Sequence, residues 1–372
     1  IASQWSRRWL WTKSQWISNP DTASSKHSGF ARKVTPMYDQ RPVLPKESVF
    51  FGRWDRRRRD RAITVNSGSY VYTRFSGAWI AAHFDISLNQ APFPTLAWRI
   101  NDQPWQEADL SKMVLLGHGL GAGVHKVQLM VRGLDEHQSR WNHPRIASVT
   151  LTGFAIADGG KFHKPLSEWV HPKLKLEFLG DSITEGVVVQ EGHAGVDPGM
   201  PFTWPWLSDA RMSYVGRTAA LLGADYRQVG FGATGLMLVG SGDAPGAIKA
   251  FNTFYAGCPR DSWEPHIVVV NQGTNEPGTP GPKYTEHYVH YLGMIRAAYR
   301  KAMIVGLCPF NGTHRDDIRN AVNKRVSLGD KRVVFIDTAG WYDGPLHPNV
   351  EGSALLGEKL AAAITREALA RK

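Results

Sequence analysis

Between about residue 47 and residue 165, apolar and polar positions alternate over short runs broken by Gly, Pro and Asn, at 62–65, 70–75, 79–85, 95–100, 125–131 and 148–157. Alternation with period two puts one face of each run into a core, so these runs are strands. Their length and spacing predict an all-β sandwich of two sheets. The glycine-rich stretch 117–123 reads as a flexible connection inside it.

After residue 166 the pattern changes to continuous apolar runs separated by helical periodicity. Strands are expected at 174–179, 225–229, 266–271, 302–307 and 333–336, with helices at 213–222, 284–299 and 351–369. Buried strands joined by helices make a parallel sheet with right-handed crossovers. The reactive groups then belong at the carboxyl ends of the strands. The reading therefore has three parts: an extension at 1–46, a β-sandwich at 47–165 and an α/β domain at 166–372.

Composition adds limits. The chain has 372 residues, 42% of them hydrophobic, enough for two ordinary cores. No apolar run approaches the roughly 20 residues needed to cross a bilayer as a helix. The chain begins at Ile1, which is read as a processed or truncated start, and a secreted or periplasmic protein is expected. Cys258 and Cys308 lack metal-ligand spacing and are read as buried thiols, with one disulfide left open.

The net charge of +11 is concentrated near the start: residues 1–61 carry 14 basic and 5 acidic residues, among them the run Arg56 to Arg59. Asp55 and Asp60 flank this run and are expected to balance it. Nucleic acid is excluded as a partner, because no zinc-finger, RNP-like or helix-turn-helix pattern accompanies the charge. Trp5, Trp9, Trp11 and Trp16 lie in the same basic extension.

The candidate chemistry sits directly after the expected strands. Gly180-Asp181-Ser182-Ile183-Thr184 follows the first α/β strand, where a glycine allows a sharp turn that exposes Ser182 as a nucleophile. Such a hydroxyl is inert at neutral pH without a base, and Asp343-Gly-Pro-Leu-His347-Pro-Asn precedes the last helix. His347 is the candidate base and Asp343 its candidate orienting carboxylate. Gly230-Phe231-Gly232-Ala233-Thr234-Gly235 and Gly273-Thr274-Asn275-Glu276 follow two further strands. The N–H groups of Ser182 and Gly232 with the Asn275 amide can form an oxyanion hole.

Asp181 is read as a loop organiser, Phe231 and Thr234 as packing. His287 and His290 share a helix without a carboxylate or cysteine pattern, so no metal or other cofactor is expected. No Gly-x-Ser-x-Gly occurs, which removes the nucleophile-elbow type of α/β-hydrolase. The glycines at 230, 232 and 235 lack the acidic residue that a dinucleotide site requires.

In this order, the four blocks resemble the SGNH (GDSL) hydrolase superfamily over about residues 174–365, with Ser182, Gly232, Asn275 and His347 as its four defining residues. The resemblance implies a three-layer parallel-sheet hydrolase. The chain departs from the family pattern twice. Three residues rather than two separate Asp343 from His347, leaving either Asp343 or a backbone carbonyl to orient the imidazole, and Glu276 stands where Asp is usual.

The β-rich part, with "SGSYVYTRFSGAWIAAHFD", "LAWRINDQPW", "GVHKVQLMVRG" and "VTLTGFAI", is similar to the jelly-roll domain of two-domain carbohydrate acetylesterases of carbohydrate esterase family two. That similarity implies an acetylated carbohydrate as substrate and a serine O-acetylesterase acting through an acyl-enzyme. Trp204, Trp206 and Trp341 are candidate walls of a sugar cleft. A lipid or thioester hydrolase and a glycan-binding protein with a vestigial site are the alternatives.

Overall fold

The computed structural model describes residues 40–192 and 199–370; the tryptophans at positions 5, 9, 11 and 16 lie outside these. The first half holds β1 (Val49–Phe51), β2 (Ala62–Thr64), β3 (Tyr70–Ser76), β4 (Ile80–Phe84) and β5 (Thr95–Ile100). Then come β6 (Gln106–Asp109), β7 (Met113–Gly117), β8 (Val124–Gly133), β9 (Val149–Ile156) and β10 (Lys161–His163). They form two antiparallel sheets, one ordered β1-β3-β8-β5-β6 with β10 beside β3, the other β2-β9-β4-β7. Val71, Phe75, Leu129 and Val131 from the first sheet meet Ile80, Phe84, Leu151 and Phe154 from the second in one core. All six expected runs are strands.

The second half opens with α1 (Ser167–Val170), β11 (Lys175–Gly180), α2 (Ser182–Glu185), α3 (Trp204–Leu207), α4 (Tyr214–Leu221), β12 (Asp225–Gly230) and α5 (Ala247–Ala250). A small hairpin of β13 (Thr253–Tyr255) and β14 (Cys258–Pro259) leads to β15 (Ile267–Asn271), α6 (Gly281–Ala298) and β16 (Met303–Leu307). The chain continues through α7 (Arg315–Ser327), β17 (Val333–Ile336) and α8 (Val350–Ile364), whose last turns widen over Thr365–Leu369. The parallel sheet has the order β12-β11-β15-β16-β17. Leu176, Phe178 and Val269 face a layer containing Tyr214, Leu356 and Leu360, while Leu179, Val268 and Val270 face Tyr284, Tyr288 and Ile318. Both faces are thus covered, as continuous apolar strands require.

Chain order reverses direction across the sheet at β11, so the loops after β11, β12 and β15 splay apart there and leave a crevice at the carboxyl ends. The two halves share one compact unit. Tyr70 of β3 donates to Asp225 at 2.7 Å and accepts from the Tyr226 N–H at 3.2 Å. Buried Arg53 reaches Glu177 of β11 at 3.3 Å.

The basic run is balanced in part within its own loop: Arg57 pairs with Asp55 at 2.7 Å, and Asp60 takes Arg58 at 3.0 Å and Arg61 at 3.2 Å. Cys258 and Cys308 are both free and buried. Among the described residues no helix is long and apolar enough to cross a membrane, and no cluster of His, Cys, Asp or Glu could hold a metal ion.

Candidate active site

Ser182 opens α2 immediately beyond β11, and the turn is fixed by its neighbours. Asp181 caps the helix, accepting from the Ile183 N–H at 3.0 Å, and Gly186 ends it in the left-handed conformation. Gly180 has no room for a side chain, since a Cβ there would fall 2.0 Å from Thr184 Oγ1 and 2.8 Å from the Asn271 carbonyl. Thr184 is held in turn by Tyr214 at 2.8 Å. Burial pushes the Asp181 carboxyl up to about 6, so near neutrality it serves as a charged brace for the turn.

Across the crevice, the loop before α8 brings His347 Nε2 to 2.8 Å from Ser182 Oγ. This distance joins residues 165 positions apart. Burial lowers the His347 pKa from its ordinary value, because the imidazolium loses hydration that nothing replaces. The neutral ring is therefore the resting form at pH 7, as a general base requires.

Asp343 is not brought to that ring. It lies exposed beside Tyr342, and among the described residues no carboxylate hydrogen-bonds to the second nitrogen of His347. The extra residue between Asp343 and His347 accounts for this: it lengthens the loop and leaves the carboxylate outside.

The oxyanion candidates follow adjacent strands. Gly180 and Gly230 are paired in register, so Ser182 and Gly232 each lie two residues beyond a common rung. Ala233 next to Gly232 has φ 55°, a left-handed conformation that tightens the loop. Asn275 Nδ2 donates to the Thr234 carbonyl at 3.0 Å and to Asp181 Oδ2 at 3.4 Å, tying all three loops together.

Glu276, the departure from the usual Asp, has a task of its own. Its carboxylate accepts from the N–H groups of Leu236, Met237 and Leu238 at 2.6, 3.1 and 3.1 Å, while its backbone carbonyl receives His314 Nε2 at 2.7 Å.

The three tryptophans have different situations. Trp204 is exposed and meets His137 edge-on at 4.8 Å. Trp206 is fastened to the antiparallel half, with Nε1 donating to Asp109 at 2.7 Å and the Arg132 guanidinium 5.2 Å from its ring. Trp341 packs, partly buried, against the core around α8. His287 and His290 lie on α6, away from these loops.

The sequence reading missed residues that deliver the β half to the site. Arg132 Nη1 donates to the carbonyls of Pro205, Trp206 and Ser208, and its Nε pairs with buried Asp209 at 3.1 Å. The loop after β8 brings Arg140 onto Glu185 with one oxygen at 2.7 Å, and Asp243 takes the N–H groups of Arg140, Trp141 and Asn142 at 2.8–3.0 Å. Buried charges of this kind leave no periodic signal. The nearest hint was Glu185, a carboxylate three residues after the serine.

Comparison with known proteins agrees with this geometry. Residues 178–355 match the model of the GDSL-like lipase/acylhydrolase family. The cellulase/esterase CelE of Acetivibrio thermocellus is 28% identical over 284 residues, covering 70% of this chain and 32% of that protein, so the chain spans about a third of its curated relative.

Among solved structures, a family two carbohydrate esterase from Clostridium thermocellum in complex with cellohexaose aligns with TM-score 0.67 and 24% identity, over 86% of this chain and 98% of the other. A family two carbohydrate esterase from Cellvibrio japonicus aligns with TM-score 0.71 and 20% identity, over 87% and 96%. These structural likenesses establish the fold across both halves. The stretch that matches the GDSL-like lipase/acylhydrolase family is the one that holds Ser182, Gly232, Asn275 and His347.

Proposed function

We propose that this protein is a serine esterase that removes O-acetyl groups from a polysaccharide or oligosaccharide, acting outside the cytoplasm. The observation that carries the reading is the 2.8 Å approach of His347 Nε2 to Ser182 Oγ at the carboxyl end of β11. The esterase names of the similar proteins support the carbohydrate ester, and the two antiparallel sheets are read as the jelly-roll domain of such enzymes.

In this mechanism Ser182 Oγ attacks the acetyl carbonyl as His347 takes its proton. The oxyanion rests on the N–H groups of Ser182 and Gly232 and on the Asn275 amide, which exchanges its long contact to Asp181 for the substrate oxygen. Each such donor contributes roughly 3 kcal/mol to the transition state. His347 then gives that proton to the departing sugar oxygen, which leaves as the free hydroxyl, and activates a water, which releases acetate from the acyl-enzyme.

Acetate release from acetylated xylan, xyloglucan, glucomannan and pectin tests the reading. Release from at least one, lost by about 10³-fold or more in Ser182→Ala with the fold retained, is expected. Release from none of them would overturn the substrate assignment.

A longer acyl ester is the second reading. It is favoured by the exposed apolar side chains of Met237, Leu238 and Val239 beyond the oxyanion loop and of Leu346 beside His347. A chain-length series of 4-nitrophenyl esters separates the two, because an acetylesterase loses activity beyond the two-carbon acyl group.

A further inference from the structure

The loop after β8 carries a carboxyl group into the oxyanion loop. Glu136 is 7% exposed, and its side chain lies directly over Gly232: a Cβ on that glycine would fall 1.6 Å from Oε2 and 2.7 Å from Cδ. Among the described residues no hydrogen bond reaches this carboxyl. Its oxygens are not sealed from solvent, so an entering ligand can reach a carboxyl that no protein donor has taken.

The position is fixed firmly. Arg140, four residues on, is anchored to Glu185, and Asp243 holds the backbone that follows. The glycine under Glu136 is the one whose N–H the proposed mechanism assigns to the oxyanion.

We infer that Glu136 is an additional substrate-facing group of the oxyanion site, donating a hydrogen bond to the ester oxygen in its acid form and opposing the oxyanion in its carboxylate form. The inference rests on the esterase reading above. A neutral carboxylic acid serving as an oxyanion donor is chemically sound wherever its surroundings keep it protonated.

The surroundings of Glu136 do so. Burial and the neighbouring Glu185 carboxylate push its pKa up to about 7, with Asp135 adding to the rise and His137 and Arg140 opposing it. Arg140 is already committed to Glu185, which weakens its pull. Asp135 is likewise engaged, accepting from the His137 N–H at 2.9 Å. The oxyanion loop itself, residues 230–235, presents no charged side chain.

Two titrations then bracket the activity. Turnover rises as His347 loses its proton below pH 6.5, and falls as Glu136 ionises near pH 7. An ordinary serine esterase, whose base only needs to be neutral, has no such fall.

The test is kcat/KM for a 4-nitrophenyl acetate substrate between pH 5 and pH 9, in the full chain and in Glu136→Gln, whose amide keeps a donor and cannot ionise. The ratio of variant to wild type should climb at least about tenfold from pH 6 to pH 9, because only the wild type has the alkaline limb. Profiles of the same shape in the two proteins overturn the inference and leave the esterase reading standing. Absence of turnover in the wild type at every pH overturns the esterase reading, and the inference with it.

If Glu136→Gln does not fold, the wild type decides the matter by ¹³C NMR of labelled glutamate carboxyls. One carboxyl should titrate near pH 7 and move upward once Ser182 is phosphonylated, since the inserted phosphoryl oxygen accepts from the acid form. A carboxyl that titrates unchanged after phosphonylation refutes it.

Discussion

Arg140, on a loop of the antiparallel half, is clamped by both oxygens of Glu185, the last residue of the helix that begins at Ser182, and neither side chain is more than 1% exposed. The nucleophile's turn is therefore held by the antiparallel half of the molecule. Removing one partner strands a buried charge, so Arg140→Ala and Glu185→Ala should each lower stability by about 3–5 kcal/mol. Urea unfolding checks this. Replacing both with Met and Leu should cost less than either single change, which a simple loss of packing would not allow.

Asp343 provides the sharpest contrast between a triad and a Ser-His pair. An acid that holds the catalytic imidazole contributes about 10⁴-fold to kcat. The exposed Asp343, unbonded to His347, should contribute far less, so Asp343→Ala is expected to reduce kcat by less than about tenfold. A loss of three orders of magnitude, with KM unchanged, would mean that the loop closes around the substrate.

The acid limb of the activity belongs to His347. Its pKa is lowered by burial, so the inactive imidazolium accumulates only below pH 6.5. Activity should accordingly hold at pH 6.5 and decline at lower pH. Because the unfolded state binds a proton at His347 more readily than the folded state, stability from this group is present above pH 6.5 and is lost as pH falls. A midpoint of the acid limb above 6.5 in a kcat/KM profile would contradict the burial.

Trp204 and Trp206, two residues apart, should separate into substrate and structural roles. Trp206→Phe removes the bond to Asp109 and is expected to lower stability by about 1–2 kcal/mol without raising KM for an oligosaccharide. Trp204→Ala should raise KM with little change in melting temperature, since the ring is exposed with only His137 against its edge. The reverse pattern would place the sugar on Trp206.

The parallel sheet was legible because fully buried strands are short apolar runs, as in the IVVVN of β15 and the VVFI of β17, and because each motif follows such a run. Strand β6, QEAD, escaped because its side chains are almost all exposed and it carries no alternation. Helix α7 escaped for a similar reason, with only Ile318, Ala321 and Val322 buried among thirteen residues. In the site, Ser182 and His347 could be found through their loops. Glu136 and Arg140 could not, since their meaning comes from contacts with residues 45 to almost 100 positions away that no spacing encodes.

The fork of hydrogen bonds from Glu276 has a consequence for how this sequence can drift. A Cβ on Gly235 would fall 2.2 Å from the Glu276 carboxyl carbon, so the longer acid occupies the space that any side chain at 235 would need. The two positions are thus locked as a pair: residue 235 can gain a side chain only after 276 shortens, and a shortened 276 releases three backbone donors at once. Single steps in either direction pass through a damaged loop. A lineage that acquired this glutamate would find the return to aspartate obstructed, even though the two acids differ by one methylene.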